Sequence, residues 1–554
     1  MKGVLAAALL VAGLTLAVAA PALHYGFVYD DRAVVLERQP FWELGPRAFL
    51  ASTPWVTGRH LTAVSLDLDR LGVGNPLLPL PFHRTNLALA ALLSVMVLAF
   101  ALRVGLSPLA ATAAAALFAV HPAHVDAVVW IVGRAELLAA VGALAVMLLC
   151  VRPPGDAGRS NPWWIAPGCA AFGMLAVHSK ESALCLPLLV VLARVFLGPR
   201  VAWLPALAGA IVALLSWGLV TGAAMTSVER TQFVDNPLVY APVLERIPKA
   251  LAILWDYARL LVWPHPLLQD RSWAATNPGL VEGWLGAAAW VAAAAGIWKL
   301  RRREPLMAFA LAWFPVAFAI TGNVVKPIGT LMAERLLLLP SLSVCLLAGA
   351  GVDALARTAT ARRAAAVGVA AAVVVLFGLF RVRAAVWENE DVYFPAAAAA
   401  SPLSAKAQYE YGNWLLRKDR PLEAEAAYAQ ALAIVPAFSR AASYRAESMA
   451  RRGDPAGAVE VYLAYLALRP DDTGALTNVT RLLLKAGRPE EAVKWAQKLV
   501  AQLPGDQKAL DALLVAETAL RRANAAAAGT RTNEATAPSA TDAPARPLPP
   551  PVNP

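Results

Sequence analysis

The stretch "MKGVLAAALLVAGLTLAVAAPALHYGFVYDDRAVV", residues 1–35, sets about twenty apolar residues just ahead of two adjacent carboxylates, Asp30 and Asp31. A run of that length is enough to cross a bilayer. Two neighbouring acids at its end repel each other and lose hydration beside hydrocarbon. They belong either to a wet loop or to a site of chemistry, and the local sequence leaves both readings open. The Ala-x-Ala pattern after the run also suits a signal peptide, but the run is long for one, so an uncleaved first span is expected.

The same apolar pattern recurs through residue 382. Of 554 residues, 58% are hydrophobic and 16% charged, whereas a soluble chain carries about 25% charge. Hydropathy predicts eleven crossings, at about 3–22, 84–102, 107–121, 135–151, 163–178, 182–198, 201–222, 283–299, 305–321, 335–355 and 364–382. The fold class expected is all-α, a polytopic membrane bundle. The stretch 250–264 carries Asp256 and Arg259 mid-run and is read as a re-entrant or interfacial helix.

The net charge of +11 does not point to nucleic acid, because the basic residues are spread over short loops beside spans. With Met1 inside, Lys2, Arg103, Arg152, Arg200, the "KLRRRE" run at 299–304, Arg357 and Arg362 all fall on the cytoplasmic face. The outer face then receives 24–83, 121–134, 178–182, 223–282, 322–334 and everything after 382. Cys150, Cys169, Cys185 and Cys345 lie in or beside apolar runs without metal-ligand spacing and read as small buried hydrophobes.

After Arg383 the chain turns charged and Ala-rich. Pro402, Pro436, Pro470 and Pro504 recur every 34 residues, as do Ala424, Ala458 and Ala492, and Asp419, Gly453 and Gly487. That period is the signature of tetratricopeptide (TPR) repeats. The expected organisation is a membrane domain at 1–383, about three repeats in 384–522, and an unstructured Ala/Pro/Thr tail at 523–554.

Polar residues concentrate on the outer face. Besides Asp30 and Asp31, they include Arg59, His83, His121, His124, Asp126, Arg134, Glu136, Lys180, Glu181, Glu334 and Arg335. Ionisable groups beside membrane are costly and mark function. The His121-Pro-Ala-His124 pair has loose metal spacing and equally suits a loop or cap, so His83, His121 and His124 are candidate acceptor or metal contacts. Arginines suit bidentate phosphate binding and carboxylates suit proton abstraction from a hydroxyl. Together they fit a substrate with an anionic phosphate and a lipid tail.

"YDD" at 29–31, "HPAHVDAVVWIVGRAELL" from 121, "SKES" from 179, "NPL" from 236, "WPHPL" from 263 and "PIGTLMAERLLLLPS" from 327 resemble the transmembrane and tetratricopeptide-repeat-containing family of O-mannosyltransferases. The resemblance runs from about residue 20 through the repeats. It implies a type C (GT-C) glycosyltransferase fold, with a lipid-phosphate sugar donor and action on the non-cytoplasmic side. It also implies a catalytic role for Asp30 and Asp31, and donor phosphate or sugar binding by Arg134, Glu136, Lys180, Glu181, Glu334 and Arg335. His60 stands where the pattern suggests Pro, Leu338 where an aromatic is common, and the repeat array is short. These departures bear on the sugar and the acceptor.

The expected activity is inverting transfer of a mannose-like sugar from a polyprenyl- or dolichyl-phosphate carrier to Ser/Thr hydroxyls of extracytoplasmic proteins. Asp31, which starts the loop proper, is preferred as base, and the other acid orients the acceptor or binds a divalent ion. The repeat groove recruits a protein or peptide acceptor. The Ala-rich composition suggests a bacterial inner-membrane protein with its site on the periplasmic side. The rivals are a transferase on the same fold acting on a lipid or envelope glycan, a TPR membrane scaffold without catalysis, and a transporter.

Overall fold

The computed structural model describes residues 2–44, 48, 59–71, 78–155, 162–221 and 231–535. The chain forms two compact units, Met1–Tyr411 and Gly412–Pro554. Among the described residues there is no strand, only an isolated bridge between Val151 and Val201. The all-α class follows from the long apolar and Ala-rich runs, whose backbone groups are satisfied within each helix, as a bilayer demands.

Among the described residues, seven helices are long and apolar enough to cross a membrane: Lys2–His24, Leu80–Val104, Ile131–Cys150, Glu181–Arg200, Trp203–Thr221, Leu280–Leu300 and Ala359–Ala385. Pro108–Val120 and Pro122–Val128, bent by 51°, add an eighth if taken as one span. The bend falls where Pro122 cannot donate the next helical hydrogen bond. Three shorter apolar helices, Ile165–Val177, Pro305–Ala317 and Leu342–Leu355, coincide with the remaining expected crossings. With 13 or 14 residues each, they fall short of full span length, which takes about 20 residues. Val243–Val262 is one helix but does not qualify as a span, since Glu245, Lys249, Asp256 and Arg259 interrupt it. The chain is an integral membrane protein.

Burial orders the bundle. In Ile131–Cys150, 94% of the apolar window is buried, against 6% in Ala359–Ala385 and 11% in Leu280–Leu300. A helix apolar all round belongs at the centre of a bundle, and this central helix carries Arg134 and Glu136 in its first turn.

The first unit runs past the border expected at Arg383. Gly26 N–H donates to the Glu388 carbonyl at 2.8 Å, and Trp387 Nε1–H donates to Asp126 Oδ1 at 3.1 Å. Buried Tyr393 and Phe394 on helix Glu390–Ala400 complete this seam.

Three helix pairs make the repeats: Ala405–Arg417 with Pro421–Ile434, Ser439–Arg451 with Pro455–Leu468, and Thr473–Lys485 with Pro489–Gln502. Asp419, Gly453 and Gly487 have φ of 57°, 85° and 72°, the left-handed conformation that ends a helix and reverses the chain. Ala424, Ala458 and Ala492 are fully buried, as close approach of paired helices requires. The tail expected to lack structure from residue 523 begins as helix, because Gln507–Ala535 continues through it on Ala-rich sequence of high helix propensity. Residues 536–554 of that tail lie outside the described residues.

Candidate active site

The Asp-Asp motif is a tight turn. Tyr29 has φ of 58°, in the left-handed region. Asp31 N–H donates to the Val28 carbonyl at 3.2 Å, and Val28 N–H donates back to Asp31 Oδ2 at 3.0 Å. The second carboxylate oxygen, Oδ1, accepts from Val132 N–H at 3.1 Å. Asp31 is 1% exposed, and backbone donors occupy both its oxygens.

Asp30 instead lines a cavity of about 610 Å³. Among the described residues no hydrogen bond occupies its carboxylate. Asp30 faces the open space, and Asp31, preferred as base on sequence, holds the turn. Burial pushes the Asp30 carboxyl above the usual carboxylate range, while Lys406, Arg335, Arg59 and Lys180 pull it back. Burial pushes Asp31 well above that range, against the Val28 and Val132 N–H groups.

The Gly-Arg-x-Glu element divides into separate roles. A Cβ on Gly133 would fall 2.3 Å from the Asp126 carbonyl oxygen, so only glycine lets this turn close and present Val132 N–H to Asp31. Arg134 is fully buried and not part of the cavity. Its five donors go to Asn86 Oδ1, the Ser65 carbonyl and hydroxyl, the Phe82 carbonyl and Asp69. That leaves nothing for a phosphate, so its expected role as a donor-binding cation is replaced by a structural one. Glu136 does line the cavity, pairing with Lys180 at 3.4 Å and accepting from the Ser182 hydroxyl at 3.1 Å.

Lys180 and Glu181 are both in the cavity wall. Glu181 receives Arg59, whose Nε lies 3.1 Å from each carboxylate oxygen and whose Nη2 lies 3.0 Å from Oε2. Burial, then Arg59, lowers the Lys180 ammonium to about 8.

Glu334 and Arg335 also reach the cavity and differ from each other. Glu334 is buried, with Arg271 at 3.0 Å and Arg383 at 3.2 Å. Arg383 also meets Asp126 at 3.2 Å. Arg335 lies over the Trp130 ring, 5.6 Å from its centroid, and among the described residues no carboxylate pairs with it. With Lys326, which also lines the cavity and has no acid partner among the described residues, it is open to an anionic ligand.

The histidines lie outside this cavity. His83 is buried on Leu80–Val104. His121 uses Nε2 on the Leu261 carbonyl and Nδ1 on Ala123 N–H, and His124 uses Nδ1 on the Phe118 carbonyl and Nε2 on the Ser341 hydroxyl. Among the described residues no group of three or more His, Cys, Asp or Glu side chains is placed to hold a metal ion.

Several lining residues were not expected, including Asp235, Asp270, Arg271, Trp387, Tyr393 and Lys406. Tyr29 stacks on Tyr393 at 5.9 Å, Trp387 meets Tyr393 at 4.7 Å, and Trp130 stacks on Trp387 at 5.4 Å, so an aromatic wall borders Asp30. The aromatics in "VWENEDVYF", 386–394, were the one available signal. Lys406 reads as an ordinary residue of the first repeat.

No family model matches the chain. Among curated proteins it is similar to the protein O-mannosyl-transferase TMTC3 of Mus musculus, 28% identical over 444 residues that cover 71% of this chain and 47% of that protein. TMTC4 of Mus musculus is 24% identical, covering 70% and 61%. Tmtc1 of Drosophila melanogaster is 38% identical over a shorter 130 residues, covering 22% and 15%. The chain spans about half the length of the first of these relatives. Among solved structures, the TPR domain of P58(IPK) overlays at a TM-score of 0.20 and 14% identity, covering 70% of this chain and 95% of that chain, too low a score to bear on the fold. The long matches to two TMTC proteins, added to the shared motifs, make the chain similar over about 70% of its length to proteins named protein O-mannosyl-transferases.

Proposed function

We propose that this chain is a membrane glycosyltransferase that moves a mannose-like sugar from a polyprenyl- or dolichyl-phosphate carrier to Ser/Thr hydroxyls of extracytoplasmic proteins. The observation that carries the reading is one cavity holding Asp30, with no hydrogen bond on its carboxylate among the described residues, and Arg335, with no acid partner among them. The names of the relatives support the reaction class. The distribution of basic loops supports a site on the non-cytoplasmic, periplasmic side.

In this reaction Asp30 takes the proton of the attacking hydroxyl as its oxygen bonds to the sugar's anomeric carbon. The bond from that carbon to the carrier phosphate breaks, and its electron pair leaves on the phosphate oxygen. Arg335, with Lys180 and Arg59 beside it, meets charge that grows as the bond breaks, and so favours the transition state over the ground state. Attack from the face opposite the phosphate inverts the anomeric centre. Asp31 stays bonded to the backbone and holds the turn that aims Asp30. The repeats bind the acceptor polypeptide and raise its concentration at the membrane unit.

The test is to incubate purified protein with a panel of radiolabelled polyprenyl-phosphate sugars and an extracytoplasmic protein extract. Label on protein from one donor is expected. Label on lipid or glycan alone would assign the chain to envelope modification, and no transfer from any donor would sink the reading.

A further inference from the structure

Among the described residues, six cations line the cavity: Arg59, Lys180, Arg271, Lys326, Arg335 and Lys406. Four are committed to acids, Arg59 to Glu181, Lys180 to Glu136, Arg271 to Glu334 and Lys406 to Asp235. The other two, Lys326 and Arg335, have no acid partner among the described residues. Both come from one segment, the loop that follows helix Pro305–Ala317 and the short turn Glu334–Leu337 that ends it.

Two buried amides pin that loop. Asn323 has φ of 60°, a left-handed conformation that asparagine tolerates. Its Oδ1 accepts from Asn236 Nδ2 at 2.9 Å and from Ile328 N–H at 2.8 Å. Its Nδ2 donates to the Thr330 and Leu331 carbonyls at 3.2 and 3.0 Å. Asn236 Nδ2 also donates to the Ile328 carbonyl at 2.7 Å, and Leu331 N–H donates to the Asp235 carbonyl at 3.1 Å. Pro327 narrows the backbone freedom of Lys326 further. Just ahead of Glu334, Ala333 N–H donates to the Tyr257 hydroxyl at 2.8 Å. The backbone is thus fixed on either side of Lys326 and ahead of Arg335. The Lys326 side chain is exposed and lines the cavity, and among the described residues its ammonium makes no hydrogen bond or ion pair.

Two cations without acids on one cavity wall match two negative charges rather than one. A polyprenyl-phosphate sugar is a phosphodiester and carries a single charge. The carrier left after transfer is a monoester, with a charge of about −1.5 to −2 at pH 7. The second charge appears as the bond to the anomeric carbon breaks, when the electron pair stays on the phosphate oxygen and the hydroxyl proton goes to Asp30.

We propose that Lys326 is the second cation of the carrier-phosphate site: Arg335 meets the charge the phosphate brings, and Lys326 meets the charge it gains on leaving. The proposal rests on the reading of the cavity as the site of a lipid-phosphate sugar transferase. It makes the site selective for the leaving phosphate over the intact donor, as preferential stabilisation of the transition state requires.

The test is equilibrium binding to purified full-length protein at pH 7, with neither sugar nor acceptor. The probes are farnesyl phosphate, its monomethyl ester, which keeps a single charge, and inorganic phosphate. The wild type is expected to bind farnesyl phosphate about tenfold more tightly than the methyl ester, as one added charge-assisted bond allows. Lys326→Gln should lose that preference by weakening farnesyl phosphate alone, Lys326→Arg should keep it, and Arg335→Gln should weaken both lipids. A Lys326→Gln protein that keeps the preference, or loses both lipids equally, would overturn the proposal, as would a wild type that binds both lipids alike. Inorganic phosphate bound as tightly as farnesyl phosphate would assign a free-anion site and overturn it too. A wild type that shows the preference yet transfers no sugar would sink the transferase reading and leave the charge preference at Lys326 standing.

Discussion

Asp30 and Asp31 are neighbours with opposite surroundings, and the turn at Tyr29 makes them so. Asp30→Asn removes a proton acceptor that makes no described hydrogen bond, so transfer should fall roughly 10²- to 10⁴-fold with an unchanged melting temperature. Asp31→Ala instead strands two buried N–H groups, of Val28 and Val132, at about 1–3 kcal/mol each. A clear loss of thermal stability should therefore accompany its loss of activity. The pH profile of kcat/KM should be a bell. Burial raises the Asp30 carboxyl, so the base is lost as pH falls, at a pH above the ordinary carboxylate value. Lys180 is lowered to about 8, so its cation is lost as pH rises through that value. Arg134→Met should show neither signature: it breaks a buried pair with Asp69, which costs about 3–5 kcal/mol, and so should lower the melting temperature without raising KM for the donor. The residue types at these positions could be read from the motifs. Their directions could not, because one of the two partners that claim Asp31 is Val132, far away in sequence, and Arg134 is claimed by Asn86, Ser65, Phe82 and Asp69.

The repeat helices owe their period to the residues that end them. Gly453 has open space around a would-be Cβ, so Gly453→Ala suffers only from its left-handed φ of 85°, a loss of about 1 kcal/mol. Asp419 occupies the equivalent turn at φ 57° without being glycine, so Asp419→Gly should hold or raise stability. Thermal unfolding of the two variants side by side checks both signs. The 34-residue spacing of Pro, Ala and Gly was legible because each recurrence has a local backbone or packing cause. The apolar spans were legible for the same reason, since length and hydropathy are local properties. The reach of the first unit to Tyr411 was not, because Trp387, Tyr393 and Lys406 belong to a charged, Ala-rich stretch whose docking depends on Asp126, Tyr29 and Asp235.

At the scale of the whole molecule, the proposed transfer to protein calls for a site beside the membrane and a surface for a polypeptide, and the chain divides into two compact units. A chain ending at Tyr411 keeps Lys406 and the cavity. It should still glycosylate a short Ser/Thr peptide while losing most transfer to a full protein acceptor, measured with the same donor. Equal losses on both substrates would leave the repeats a purely structural role. The most direct measurement of the central claim is label transfer from a polyprenyl-phosphate sugar to protein by purified wild type, Asp30→Asn and Arg335→Gln. The account predicts transfer by the wild type and a loss of at least about 10²-fold in Asp30→Asn, with Arg335→Gln impaired in donor use. Asp30→Asn transferring at the wild-type rate would contradict it.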